Sequence, residues 1–196
     1  MATARSAATA PTVFLKLDTG THTSDIVQLL TTPDGRRLVS AGECTIRVWD
    51  AATLRPLRTL LGHAVGRSEE VYGPGNVLRM ALSPADGRSL VVLKIGPDAP
   101  RGRSRHPATE VQVFDIETGN LQSRFLHAGS PTDLDFSADG RHLALACAGA
   151  LMQVYAARAV LRAGFDRPPT PLAQRRLARP GRGAQVATAV RFIPAA

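Results

Sequence analysis

The sequence predicts an all-β chain assembled from repeated units of four short antiparallel strands. Three observations carry this expectation. An alternating strand leads into an Asp-Gly turn three times, as IVQLLTTPDGRR (26–37), VLRMALSPADGRS (77–89) and TDLDFSADGRH (132–142). Each turn is followed by a second apolar run and then by a third strand closed by an aromatic residue, Trp49, Phe114 or Tyr155. The copies recur with a base period of roughly 40 residues, the range of four-stranded repeat units.

The first strand of each copy has apolar residues at about every second position, the period of a half-buried strand. Asp-Gly then supplies the positive φ that a tight hairpin turn demands. The second strands read RLVSAG, SLVVLKI and HLALACA. The third read TIRVWD (45–50), VQVFD (111–115) and MQVYA (152–156). A fourth segment follows twice, LRPLRTLLGH (54–63) and GNLQSRFLH (119–127), and the opening VFLKLDTGTH (13–22) has the same form. Each ends at a histidine: His22, His63 or His127.

Spacing locates two insertions on this period. From turn glycine to closing aromatic is 14 residues in the first copy (Gly35 to Trp49) and 15 in the third (Gly140 to Tyr155), but 27 in the second (Gly87 to Phe114). From closing aromatic to the next turn glycine is 26 residues after Phe114 but 38 after Trp49. The additions are AVGRSEEVYGPGN (64–76) and GPDAPRGRSRHPAT (96–109). Strands in a unit alternate direction, so both connections are expected on one face. Insertions gathered on one face mark a binding face in repeat proteins.

In these residues the chain resembles the WD40-repeat family. Trp49-Asp50 matches the WD motif of that family and Gly62-His63 its GH motif, and the likeness extends over about residues 13–155. The resemblance implies a β-propeller, whose blades are four-stranded sheets around a channel. The expected architecture is a partial β-propeller of about three blades plus an additional inner strand. Its divisions are a disordered tail (1–12), WD40-like blades (13–155), an Arg/Pro/Ala-rich connection (156–185) and the start of a further blade (186–196). Some of the connection is expected to return as an outer strand, LAQRRLA (172–178), and the rest to be loosely packed.

The family holds each blade with a hydrogen-bonded set of His, Ser/Thr, Asp and Trp. His22, Ser40 and Trp49 fit three of these roles in the first blade, but the turn AGECT is one residue short and leaves only Glu43 for the fourth. Phe114 and Tyr155 replace Trp in the later copies. The set is therefore expected to be intact in no blade, with cohesion resting on apolar packing. The blade-motif residues are His22, Ser40, Trp49, Asp50, His63, Phe114, Asp115, His127 and Tyr155. Candidate blade-facing residues are Leu29, Val39, Val48, Leu82, Leu134 and Leu145.

Composition narrows function. The chain is 44% hydrophobic and 20% charged, ordinary for a globular protein. No apolar run approaches the ~20 residues of a membrane-spanning helix. Cys44 and Cys147 form no CxxC pair, so no zinc framework is offered. No Walker loop, GxSxG or HExxH occurs. Asp133, Asp135 and Asp139 suggest a calcium loop, but Ala138 stands where that loop needs Gly and Ala144 where it needs Glu. A strand entering a turn accounts for them. The expectation is a cytoplasmic protein with no catalytic residue, cofactor or metal.

The net charge of +8 is unevenly placed. All basic residues but Lys16 and Lys94 are Arg, which a GC-rich genome favours without any functional demand. Residues 156–196 hold eight Arg and one acid, Asp166, whereas residues 1–155 are near neutral. Candidate partner-binding residues are Arg67, Arg101, Arg103 and Arg105 in the insertions and Arg175, Arg176 and Arg179 in the basic stretch. They read first as solvated loop, next as a surface for an acidic protein, and last as a nucleic-acid patch, since no aromatics interleave them for base stacking.

The resemblance implies a non-catalytic scaffold that binds proteins. The alternative is the sensory or regulatory propeller of a larger bacterial enzyme of caspase-like peptidase, kinase or TIR type. Further blades from the same or another chain are an expected partner, because an end blade without a neighbour leaves an apolar face wet.

Overall fold

The computed structural model describes residues 22, 25–42, 44–60, 75–96, 109–165, 167–176 and 189–193. The first blade comprises β1 (Gln28–Thr31), β2 (Arg37–Ala41), β3 (Ile46–Asp50) and β4 (Pro56–Leu60). The second comprises β5 (Val77–Leu82), β6 (Ser89–Ile95), β7 (Thr109–Asp115) and β8 (Leu121–His127). The third comprises β9 (Pro131–Phe136), β10 (His142–Cys147), β11 (Leu151–Ala156) and β12 (Ala173–Arg176), with a short helix α1 (Ala157–Leu161) inserted before β12. Within each sheet the strands lie in chain order and every neighbouring pair is antiparallel. The architecture is a partial β-propeller.

The blades stack through two apolar layers. Val39, Ala41, Ile46, Val48 and Leu60 of the first blade meet Val77, Met80, Leu90, Val92 and Phe114 of the second. The other face of the second blade, Val91, Leu93, Val111, Val113 and Phe125, meets Leu134, Leu143, Leu145 and Tyr155 of the third. Both faces of β6 are covered, which is why SLVVLKI is apolar almost throughout and every residue of it is buried. Of the blade-facing candidates, Val39, Val48, Leu134 and Leu145 lie in these layers, and Leu82 packs against the first. Leu29 does not. It is 56% exposed, on the face of β1 that points away from the second blade.

The Asp-Gly turns join strands one and two and touch one another along the blade stack. Gly35, Gly87 and Gly140 have φ of 69°, 59° and 68°, the left-handed region that favours glycine. A Cβ on Gly140 would lie 2.5 Å from the Cβ of Ala85 in the preceding blade's turn, so glycine also permits the close approach.

The region 156–185 is more structured than a loose connection where it is described. Ala157 and Val160 of α1 are buried and join the second apolar layer. Gly164 O accepts hydrogen bonds from Arg124 N and Ser123 Oγ, both at 2.9 Å, which fastens the chain after the helix to the outer edge of β8. The anticipated outer strand is β12, which pairs with β11 from Leu151↔Arg176 to Val154↔Ala173. Residues 189–193, anticipated as an inner strand, form no ladder of their own. They lie along β9, where Val190 N donates to Asp133 and Phe192 N to Asp135, each at 2.8 Å.

Candidate functional site

The polar residues with the best-defined geometry tie the blades together. In the first blade Trp49 Nε1 donates to Ser40 Oγ at 2.7 Å, and His22 Nε2 lies 2.6 Å from the same oxygen. The other ring nitrogen, His22 Nδ1, is 2.9 Å from Thr45 Oγ1. Sequence reasoning expected this set to be broken for want of its acid. Instead Thr45, in the shortened turn, takes the position at Nδ1 and closes it. Glu43 lies outside the described residues. Burial, with Arg47 nearby adding to it, pushes the His22 pKa down and favours the neutral ring.

A different chemistry serves the same end between the second and third blades. His127 Nε2 is 2.8 Å from Tyr155 Oη. Gly129 N donates to His127 Nδ1 at 3.0 Å, so Nδ1 carries no proton and Nε2–H is the donor to the phenol. The phenol in turn donates to Gln153 Oε1 at 3.2 Å. Burial lowers the His127 pKa. It raises Tyr155 to about 12 and the neighbouring Cys147 thiol to about 11. Burial thus favours the neutral form of all three groups. His63 lies outside the described residues, and Phe114 is fully buried in the first apolar layer.

The aspartates that close the third strands cap turns. Asp50 accepts the backbone N–H groups of Ala52 and Thr53 at 3.1 and 2.9 Å. Asp115 accepts those of Glu117 and Thr118 at 2.9 and 3.1 Å. Each also has an arginine partner. Arg37 Nη1 is 3.8 Å from Asp50, and Arg88 Nε donates to Asp115 at 2.7 Å. The Arg88 hydrogen bond leads the causes that hold the Asp115 carboxyl below its usual range.

The candidate partner-binding arginines divide. Arg67, Arg101, Arg103, Arg105 and Arg179 lie outside the described residues. Arg175 and Arg176 are exposed on β12, the outermost strand of the third blade, and Arg176 Nη1 donates to Gly149 O at 3.4 Å. The two insertions fall mostly outside the described residues, but their roots meet at one end of the second blade. Gly75 N donates to Ile95 O at 2.7 Å and Ile95 N to Asn76 O at 2.9 Å, while Ile95 pairs with Thr109.

Three features escaped sequence reasoning. Lys94 is 1% exposed in the second blade, and burial lowers its pKa against the pull of Glu110. Gln28 of β1 pairs by both ends of its amide with the backbone of Met80 in β5, each bond 2.8 Å. Arg141, not singled out from the sequence, lies against the start of α1, where Ala157 N donates to Arg141 O at 2.8 Å. Among the described residues no group of three His, Cys, Asp or Glu side chains could hold a metal ion. No helix there is long and apolar enough to cross a membrane.

A family model described as "WD domain, G-beta repeat" matches residues 15–50. This stretch spans His22, Ser40 and Trp49 and ends at Asp50. The chain carries a WD40 repeat. A search of curated proteins found no match. WD40 repeats are in general non-catalytic and serve as platforms for protein-protein contact, the type of activity that this repeat supports here.

Proposed function

We propose that this chain is a non-catalytic scaffold that binds a protein partner through its loops and rim, with an acidic partner favoured by the excess of arginine. The observation that carries the reading is how the polar side chains are used. The His22–Ser40–Trp49 and His127–Tyr155–Gln153 sets are spent on joining strands and blades. Asp50 and Asp115 are spent on turns. The blades share two apolar layers, and loops carried on such a framework are where binding residues collect. On this reading the protein is cytoplasmic, and the Arg-rich loops are its contact surface.

We also propose that residues 186–196 begin a further blade. Asp133 holds Val190 N on the third blade much as Gln28 holds Met80 N on the first, so residues 189–193 follow the path an inner strand would take.

The test is proximity labelling and cross-linking of the tagged chain in its native cells, followed by titration of each recovered partner in purified form. Saturable binding of a purified protein at fixed stoichiometry supports the scaffold reading. Recovery of only nucleic acid, or hydrolytic or phosphoryl-transfer activity in the purified chain itself, overturns it.

A further inference from the structure

The third blade breaks a pattern that the other two keep. Arg37 is paired in register with Asp50 and Ser89 with Asp115, whereas His142 is paired with Ala156. Alanine therefore stands where the other blades have the carboxylate that an arginine reaches. Arg141 is left with Asp139 of its own turn at 3.8 Å, and its side chain is 82% exposed. An exposed pair of this kind contributes little.

The same change redirects the chain. Without the aspartate there is no side-chain cap for a tight turn, and the backbone enters α1 directly from Ala156. Helix α1 begins against Arg141. Arg158 and Arg162 follow at i and i+4, so they lie side by side, and both are exposed. Among the described residues neither has an ion-pair partner. Phe165 comes next and is 56% exposed. It does not dangle: Gly164 is fastened to Ser123 and Arg124, and Phe165 bridges to Arg124.

We propose that Arg141, Arg158 and Arg162, together with Phe165, form a docking surface for an acidic peptide segment of a partner protein. The assignment rests on the scaffold reading and adds to it a contact for this one segment on the turn side of the third blade, apart from the insertions and β12. Guanidinium groups match carboxylates in geometry as well as charge. Phe165, three residues past Arg162 and next to the fastened Gly164, supplies the apolar anchor that charged rims alone lack. Because the segment bearing Phe165 is already fastened to β8, little ordering is left for binding to pay for. A nucleic acid is disfavoured, since one aromatic offers no run of stacking platforms.

The test uses the full chain and a fluorescein-labelled peptide of Asp and Glu residues with one central Leu, read by anisotropy at about 150 mM salt. The expected result is saturable binding that weakens at least ~10-fold in Arg158→Glu/Arg162→Glu and changes by no more than about twofold in Arg175→Glu/Arg176→Glu. Arg141→Ala, on an exposed side chain, weakens binding without the fold being at stake. Phe165→Ser weakens the Leu-bearing peptide more than its Leu→Ser counterpart. No binding of the peptide, equal loss in the two double variants, or displacement by a single-stranded oligonucleotide of equal charge and equal or higher affinity overturns the proposal. A purified partner held equally by the unaltered chain and by Arg158→Glu/Arg162→Glu refutes this site while leaving the scaffold reading intact.

Discussion

Tyr155 Oη sits 2.8 Å from His127 Nε2 across the seam between the second and third blades, and it is both acceptor and donor there. Removing the hydroxyl leaves a buried imidazole N–H and the Gln153 carbonyl oxygen without it. Tyr155→Phe is expected to cost about 1–3 kcal/mol, the desolvation of the groups left behind, while keeping the ring's packing. Urea unfolding followed by Trp49 fluorescence measures it. An unchanged midpoint would show that water replaces the phenol at no cost.

His22 and His127 predict how stability depends on pH. Both are held neutral in the fold, mainly by burial, so their pKa values lie below that of the unfolded chain. Below the ordinary histidine value of about 6.5 the unfolded state binds more protons than the folded one. The stabilisation is thus fully present above that pH and is lost as pH falls toward the folded values. The urea midpoint is expected to drop between about pH 7.5 and 5.5, and His127→Gln to make the drop shallower. A slope of the same steepness in that variant would assign the dependence elsewhere.

Turn glycines offer a paired comparison. Gly35 and Gly140 share nearly the same φ, 69° and 68°. A Cβ at Gly35 meets nothing within 4 Å, while one at Gly140 lies 2.5 Å from Ala85 Cβ and 2.9 Å from Ala85 N. Gly35→Ala should cost only the left-handed conformation, about 1–2 kcal/mol. Gly140→Ala should cost clearly more, because two turns must separate. Equal losses in thermal unfolding would mean that the turns are not packed against each other.

These turns also show what was legible in the sequence. Alternating strands and Asp-Gly pairs are local signals, and they located β1, β5, β9 and the strands that follow them. His22, Ser40 and Trp49 were legible as one set because their spacing matches a known repeat. Thr45 was not, since a shortened turn hides which side chain will reach the imidazole. Helix α1 was obscured by Pro168, Pro169 and Pro171 downstream, which suggested a loose stretch, yet Ala157, Val160 and Leu161 carry helical spacing ahead of them. Arg141 was silent for another reason. Its exposure follows from Ala156 fifteen residues away, and only strand register brings the two together. Lys94 and the Gln28–Met80 pairing depend on contacts between blades, which no single-strand pattern encodes.

Asp133 gives the last prediction. It is 2% exposed and collects charge and donors from two sides. Val190 N and Arg191 Nη1 donate to Oδ2 at 2.8 and 2.9 Å, and Arg79 Nε of the second blade is 3.6 Å from Oδ1. A carboxylate buried this deeply is tolerable only while those partners stay in place. Asp133→Asn keeps the shape and one acceptor oxygen but loses the charge that holds both arginines. Asp133→Ala loses the acceptor as well. If this residue anchors segment 189–193 to β9, amide exchange at Val190 should quicken in the Asn variant and more so in the Ala variant. Exchange at Phe192, which still has Asp135, should quicken less. The core amides of β6 and β7, on the far side of the second apolar layer, should keep their protection in both. Unaltered exchange at Val190 in the Ala variant would mean that Asp133 does not hold the segment. General loss of protection across β6 and β7 would mean instead that Asp133 supports the blade stack itself rather than the segment laid against it.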